Sequence, residues 1–389
     1  MKINSRYNNL INHESGKAYD INQKQSFCLE DHEPLVAQYD LSRPLNKGVL
    51  QGRPQNMWRY KELLPIFDDQ NIISLGEGFT PLLQMSNLAQ KYGFNQLILK
   101  EEGGNPTGSF KARGLCMAVS KANELGIKAF CIPTAGNAGS ALSAYCAKGN
   151  LEAHIFMPKA TPKMFQLDCE IMGSSVSVID GNISDCGVAM RSANKDNQWW
   201  DVTTLKEPFR LEGKKTMGLE IAEQLNWNLP DVIIYPTGGG TGLIGIWKAF
   251  KELKELGWVD EIPTRMVAVQ TTGCNPIVTA FENGATSSVP FQNPAETIAN
   301  GLRVPHAFGH KLILKTLYES SGTAVAVSEE DIKASLSEFA ENEGHFLSPE
   351  GAAVWHSAKQ LLNQGWIKST DKVLLLNTGS GYKYAENLW

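Results

Sequence analysis

From residue 96 onward, short apolar runs alternate with longer amphipathic stretches: QLILK at 96–100, then AFCIP, AHIFMP, SVSVID, DVIIYP, RMVAVQ, TAVAV and VLLLN. Short runs of this kind suit strands buried on both faces, as parallel strands are when crossover helices cover them. The stretches between the runs read as those helices. In 113–125, Leu115, Val119, Ala122 and Leu125 recur at helical spacing, and Gly126 supplies a stop. The expected class is α/β, with helices wound on both faces of parallel sheets. Residues 1–70 lack the rhythm. RPLNKG and GRPQNM mark irregular chain there, and a docking helix is expected around 57–64.

In an open parallel sheet, ligands bind beyond the carboxyl ends of the strands, so the loops after the runs are where chemistry is expected. The loop after QLILK reads EEGGNPTGSFKARG, with Lys111 at a helix start. A lone lysine there is ordinarily solvated, but this one follows a tight polar turn, an apolar Phe110 and a buried strand. A helix N-terminus disfavours an ammonium, which suits such a lysine to imine formation and proton transfer. After DVIIYP comes TGGGTG at 237–242, leading into a helical pattern. Glycines let backbone N–H groups turn toward an anion, so this reads as a phosphate cradle, without the ending of a P-loop or the spacing of a dinucleotide fingerprint. Asn137 in PTAGNAGS reads equally as a cap, and Thr378 in NTGSGYKY as a polar strand end.

Composition narrows the classes. With 389 residues, 42% of them hydrophobic and 20% charged, the chain suits two domains better than one. A net charge of -5 and the lack of a basic run argue against nucleic acid as a partner. No apolar stretch approaches the roughly 18 to 20 residues of a membrane span, and MKINSRYNNLINHESGK has no apolar signal core, so no membrane association and a cytoplasmic location are expected. Seven scattered cysteines without a C-x-x-C pair suggest neither a disulfide framework nor a zinc site, and most should be buried. No metal is expected.

Together the four loops resemble the fold-type II pyridoxal-5′-phosphate (PLP) enzymes, the tryptophan synthase β-like group that includes serine and threonine dehydratases, cysteine synthase and threonine synthases. The order and spacing agree over roughly residues 72–385. The resemblance implies that Lys111 of SFK holds PLP as a Schiff base, that Asn137 bonds the cofactor's 3′ oxygen, that Gly238, Gly239, Gly240, Thr241 and Gly242 hold its phosphate, and that Thr378 meets the pyridine nitrogen. Within the group, the chain is most similar to the threonine synthases. This rests on LGEGFTPL (75–82), LKEPFRLEGKKTMGLEIAEQL (205–225), YPTGGGTGLIGIWKAF (235–250), TIANGLRVP (297–305), SPEGAA (348–353) and NTGSGYKY (377–384). Two departures stand out. Ala112 replaces the aspartate of the more usual SFKDRG, and Cys28 is all that remains of a cysteine-paired module found in some relatives.

The resemblance implies two doubly wound α/β domains with the cofactor between them: an arm at 1–71, a large domain of 72–112 and 206–389, and a smaller mobile domain of 113–205. It implies a PLP-dependent lyase, of a family that suggests a homodimer, that converts O-phosphohomoserine and water to L-threonine and phosphate, with Lys111 as the catalytic base. Thr134, Ala135 and Gly136 would take the substrate's α-carboxylate. Arg210, whose planar guanidinium grips phosphate with two prongs, would take its phosphate. Lys206 and Arg303 are weaker choices, and Glu350 reads either as a group near the cofactor or as a first-turn helix carboxylate. A threonine or serine dehydratase, a phosphoserine-using synthase and a non-catalytic PLP-fold binding or regulatory protein stay open as alternatives. Dehydratases need no cation for a substrate phosphate.

Overall fold

The computed structural model describes residues 2–387. In chain order the strands are β1 (Tyr7–Asn12), β2 (Ala18–Tyr19), β3 (Leu35–Tyr39), β4 (Leu82–Gln84), β5 (Gln96–Glu101), β6 (Ala129–Pro133) and β7 (Glu152–Pro158), followed by β8 (Ser175–Ile179), β9 (Trp200–Asp201), β10 (Val232–Pro236), β11 (Arg265–Thr271), β12 (Thr323–Val327) and β13 (Lys372–Asn377). Each apolar run read in the sequence is one of these strands. The chain divides into two compact units. The first holds the chain up to Phe79, Asn105–Thr107 and Lys111–Thr216; the second holds Thr80–Gly104, Gly108–Phe110 and the chain from Met217 onward. The arm 1–71 and the segment 113–205 thus fall in one unit.

The second unit is built on a six-stranded sheet of order β12-β11-β10-β13-β5-β4, parallel except for the β4–β5 pair. Because side chains alternate across a strand, Leu97 and Leu99, Val232 and Ile234, Val267 and Val269, and Val373 and Leu375 all join one core, with Trp355 of the helix Pro349–Asn363. The first unit contains a parallel four-stranded sheet of order β8-β7-β6-β9. All seven cysteines are buried free thiols. Among the described residues no helix is long and apolar enough to cross a membrane.

Two sequence expectations for the arm need correction. The arm contains a three-stranded antiparallel sheet, β2-β1-β3. A bulge in β1 between Tyr7 and Asn9 turns Tyr7 and Leu10 inward three residues apart, which a period-two reading misses. The expected docking helix at 57–64 is instead a pair of 3₁₀ turns, Met57–Leu63, started by the Asn56 side chain and interrupted at Tyr60, whose φ of -100° and ψ of 25° are not helical.

In the first unit, the helix that begins at Lys111 (Lys111–Glu124) packs against the start of the helix Phe209–Gln224 with almost no side chain between them. A Cβ on Gly213 would lie 2.1 Å from the Arg113 carbonyl oxygen, and one on Gly114 would lie 3.0 Å from the Arg210 carbonyl oxygen. Helix propensity alone would make Gly213→Ala stabilising by about 1 kcal/mol. The backbone overlap reverses that sign, because overpacking costs about 1 to 3 kcal/mol and here neither partner is a flexible side chain. Gly213→Ala is therefore expected to melt at a lower temperature than the wild type. An unchanged or raised melting temperature would remove this contact from the account.

Candidate active site

The loop after β5 is a tight turn. Thr107 and Gly108 adopt φ of 59° and 67°, and Asn105, buried, accepts a hydrogen bond of 3.0 Å from the Gly78 N–H. Residues 108–110 then run antiparallel to the segment that follows β13. The Phe110 N–H donates to the Thr378 carbonyl at 3.0 Å, the Ser380 N–H donates to the Gly108 carbonyl at 2.9 Å, and Ser109 bridges Gly379. Gly103 admits this approach, since a Cβ there would meet the Ser380 nitrogen at 2.9 Å. Thr378 is thus buried at the end of a central strand, against the residue peptide-bonded to Lys111.

Lys111 is half-buried at the first position of its helix. The lysines on either side in sequence are committed elsewhere. In the second unit, Lys100 is wholly buried and donates to the Thr80 carbonyl at 2.7 Å, to Glu220 at 3.1 Å and to Gln224 at 2.9 Å. In the first unit, Lys121 donates to Glu124 at 2.7 Å and lies 4.7 Å from the Phe67 ring centre.

The glycine loop, 237–240, leads into the helix Thr241–Glu255, which starts from Gly240 at φ 75° with no side-chain cap. Helix-start N–H groups left without a capping side chain are the donors an anion recruits. The loop is too close to its neighbours for side chains. A Cβ on Gly238 would stand 2.1 Å from the Gly301 carbonyl oxygen, and one on Gly242 would stand 1.9 Å from the Tyr235 hydroxyl. Glu350, buried, braces the Gly301 side of this contact by accepting the Gly301 N–H at 2.8 Å. Glu350 thus sits in a first helical turn, as one of its two readings has it, and its carboxylate braces Gly301. A glycine cradle at an uncapped helix start fits a bound phosphate, and residues 238–242 are the ones that would hold that of a cofactor.

In the first unit, Thr134 directly follows β6 with its N–H on the Phe156 carbonyl, and its hydroxyl accepts the Gly136 N–H at 3.3 Å. Gly136, at φ 154°, precedes the helix Asn137–Gly149, which has no side-chain cap. Asn137 is the first helical residue, so it is not the cap that sequence reading allowed. Ala135 and Asn137 are half-buried, and Thr134 is buried.

Arg210 is fully enclosed. Its Nη1 donates to the Val202 carbonyl at 2.5 Å, its backbone N–H donates to the Glu207 carboxylate at 3.0 Å, and its Nε is buried with no hydrogen-bond partner among the described residues. Burial pushes Glu207 up to about 7, with Arg210 pulling it back, and burial likewise lowers Arg210 from its ordinary value. Lys206 lies 3.9 Å from Asp201, and Arg303 donates to the Pro294 carbonyl at 2.9 Å.

Sequence reading missed a polar cluster at the ends of β5 and β13. Glu101 accepts from the Gly103 N–H at 2.6 Å, from Asn377 Nδ2 at 2.7 Å and from His345. The signal was a carboxylate directly after a buried run. Its partners lie up to 276 residues away, beyond the reach of any local pattern.

The sequence profile of pyridoxal-phosphate dependent enzymes matches residues 73–379. Over 372 residues the chain is 36% identical to a threonine synthase of Methanocaldococcus jannaschii, covering 95% of this chain and 91% of that one. It is 33% identical to a threonine synthase of Mycobacterium tuberculosis, covering 83% and 87%. Among solved structures it is similar to the processed form of threonine deaminase isoform 2 from Solanum lycopersicum, with a TM-score of 0.70 at 18% identity, covering 86% and 94%. It is also similar to diaminopropionate ammonia lyase from Escherichia coli, with a TM-score of 0.67 at 18% identity, covering 82% and 89%. At such identities these structures share the fold.

Borohydride reduction of the protein loaded with pyridoxal phosphate, followed by peptide mapping, is expected to fix the cofactor to Lys111. The amines of Lys100 and Lys121 are held by other groups, and label on either would sink the assignment.

Proposed function

Since this chain belongs to the family of pyridoxal-phosphate-dependent enzymes, we propose that its loops carry out the β,γ-replacement of a threonine synthase, in which O-phosphohomoserine and water become L-threonine and phosphate. The enzyme is a PLP-dependent lyase in this reading, cytoplasmic and homodimeric. Its relatives over nearly the whole chain are threonine synthases, whereas the deaminases and lyases are neighbours in fold.

Bound pyridoxal phosphate supplies the electron sink that takes up the pair left as a proton leaves the substrate's Cα. Lys111 carries the cofactor at rest. During turnover its Nζ takes protons from Cα and Cβ and returns protons as product forms. The bond between Cγ and the phosphate oxygen breaks, with its electrons leaving on phosphate; water adds its oxygen at Cβ, and Cγ ends as the methyl group of threonine. Asn137 would bond the cofactor's 3′ oxygen, Gly238, Gly239, Gly240, Thr241 and Gly242 would hold its phosphate through backbone N–H groups, and the neutral Thr378 hydroxyl would serve its ring nitrogen. The turn Thr134, Ala135 and Gly136 takes the substrate α-carboxylate.

The observation that carries the choice of substrate is Arg210. Its guanidinium is buried with an unspent Nε, and its carbonyl oxygen and Cβ pack against Gly114, one helical turn from Lys111. A phosphorylated substrate requires a cation near the reacting amine, and a hydroxy amino acid does not. The cation also stabilises the charge that grows on the leaving phosphate. Arg210→Ala is expected to lose about 2 to 4 kcal/mol of transition-state stabilisation on O-phosphohomoserine while keeping its pyridoxal phosphate. Arg210→Lys should recover only part of this, lacking the planar fork. Phosphate and threonine release would be followed together, with L-threonine and O-phosphoserine as comparison substrates. Wild-type efficiency in Arg210→Ala would remove the residue from the site, and turnover of L-threonine alone would make the enzyme a dehydratase.

A further inference from the structure

Three segments of the second unit meet where β5 and β13 end. Residues 108–110 flank 378–380 on one side through the hydrogen bonds from Phe110 and Ser380. Residues 345–347 flank it on the other: Leu347 bridges Ser380, and the Gly381 N–H donates to the Phe346 carbonyl at 3.3 Å. Gly381 is pressed into this side, since a Cβ there would lie 2.5 Å from the Leu347 carbonyl oxygen. His345, at the head of the outer segment, bonds Glu101, which also gathers the Gly103 N–H and the Asn377 side chain. The far end of Asn377 accepts the N–H and the hydroxyl of Ser348, both at 3.1 Å. One carboxylate therefore ties together the turn that leads to Lys111, the residue before Thr378 and the outer segment.

We propose that the His345–Glu101 ion pair is a positioning clamp that holds residues 102–104, 108–110 and 345–347 around residues 378–381, and so keeps Thr378 in register with the residues that run into Lys111. The inference rests on the reading of Thr378 and Lys111 as cofactor residues, but the clamp itself is testable without turnover. Neither residue touches substrate in this account; both act through the loops.

The charge acting on His345 comes from Glu101 on β5, whose hydrogen bond raises the imidazole above its ordinary value against the opposing effect of burial. Carboxylates on neighbouring elements are engaged elsewhere. Glu343 takes the Leu88 N–H, Glu102 takes the Thr80 hydroxyl, and Glu350 takes the Gly301 N–H. On the C-terminal segment, the Lys383 stem lies along Gly108, 3.0 Å from where a Cβ there would stand. A histidine raised on folding contributes stability that is fully present below its unfolded value of about 6.5 and is lost as pH rises through the folded value. The clamp should be tight in mild acid and slacken as pH rises through the raised folded value.

The test is hydrogen exchange on the holoenzyme, read as protection factors at the amides of Phe110, Ser380 and Gly381 across that pH range. In the wild type, protection should fall on the order of ten-fold as His345 loses its proton, the scale of a charge-assisted hydrogen bond. His345→Gln, a change at a side chain 29% exposed, should show the low value at every pH, while the amides between β10 and β11 stay unchanged. Equal protection in the two proteins at low pH, or a wild-type profile with no step that the substitution removes, would overturn the clamp. A loss spread equally over the β10 and β11 amides would also overturn it, by making the effect global. Failure of the substrate assay would leave these exchange results standing, so the two readings fail separately.

Discussion

The hydrogen bond from the Phe110 N–H to the Thr378 carbonyl joins two loops that leave adjacent parallel strands at the same end of one sheet. Much else at the site is arranged to permit it. Gly103 gives up a side chain so that the Ser380 backbone can approach, and Thr107 takes a left-handed conformation that a β-branched residue rarely adopts. The carboxylate of Glu101 fills the space beneath. The backbone of 108–110, which runs into Lys111, is thereby held in the second unit by the register of β5 against β13.

The same economy governs two helix starts. Helix starts at Gly136 and Gly240 lack side-chain caps, so the donors that ordinary helices satisfy internally stay directed at the loops. Other helices of the chain start with a side-chain cap, from Ser328, Ser348 and Asn182, or without one, as at Met85, Pro162 and Gly309. What sets Gly136 and Gly240 apart is a glycine in a positive-φ conformation directly before the first helical residue.

The parallel strands and the lysine, asparagine and glycine loops were legible because each is local. A buried strand shows in five or six consecutive residues, and a cradle for phosphate shows in consecutive glycines. What escaped was either non-periodic or non-local. The bulge in β1 shifts Tyr7 out of phase with Leu10, so the arm looked irregular. The turns at 57–63 carry apolar residues at near-helical spacing but break at Tyr60. The grouping of His345, Glu101 and Asn377 exists only after the sheet has brought the ends of distant segments together. Arg210 was singled out through resemblance alone, and only the structure shows that its guanidinium is enclosed with Nε unspent.

Lys121 carries an unexpected lesson about reactive amines. Burial lowers its proton affinity, which in isolation would make it a ready nucleophile. Yet the rings of Tyr7, Phe67 and Phe209 lie within 6 Å of its nitrogen, and Glu124 holds its proton. Two of those rings come from the arm, which therefore acts as a blocking group on a side chain far along the chain. Lys100 is silenced by different means, with its hydrogens spent on a carbonyl, a carboxylate and an amide. Inertness of these two lysines is subtractive: each amine is taken out of competition for an aldehyde by neighbours of a different kind.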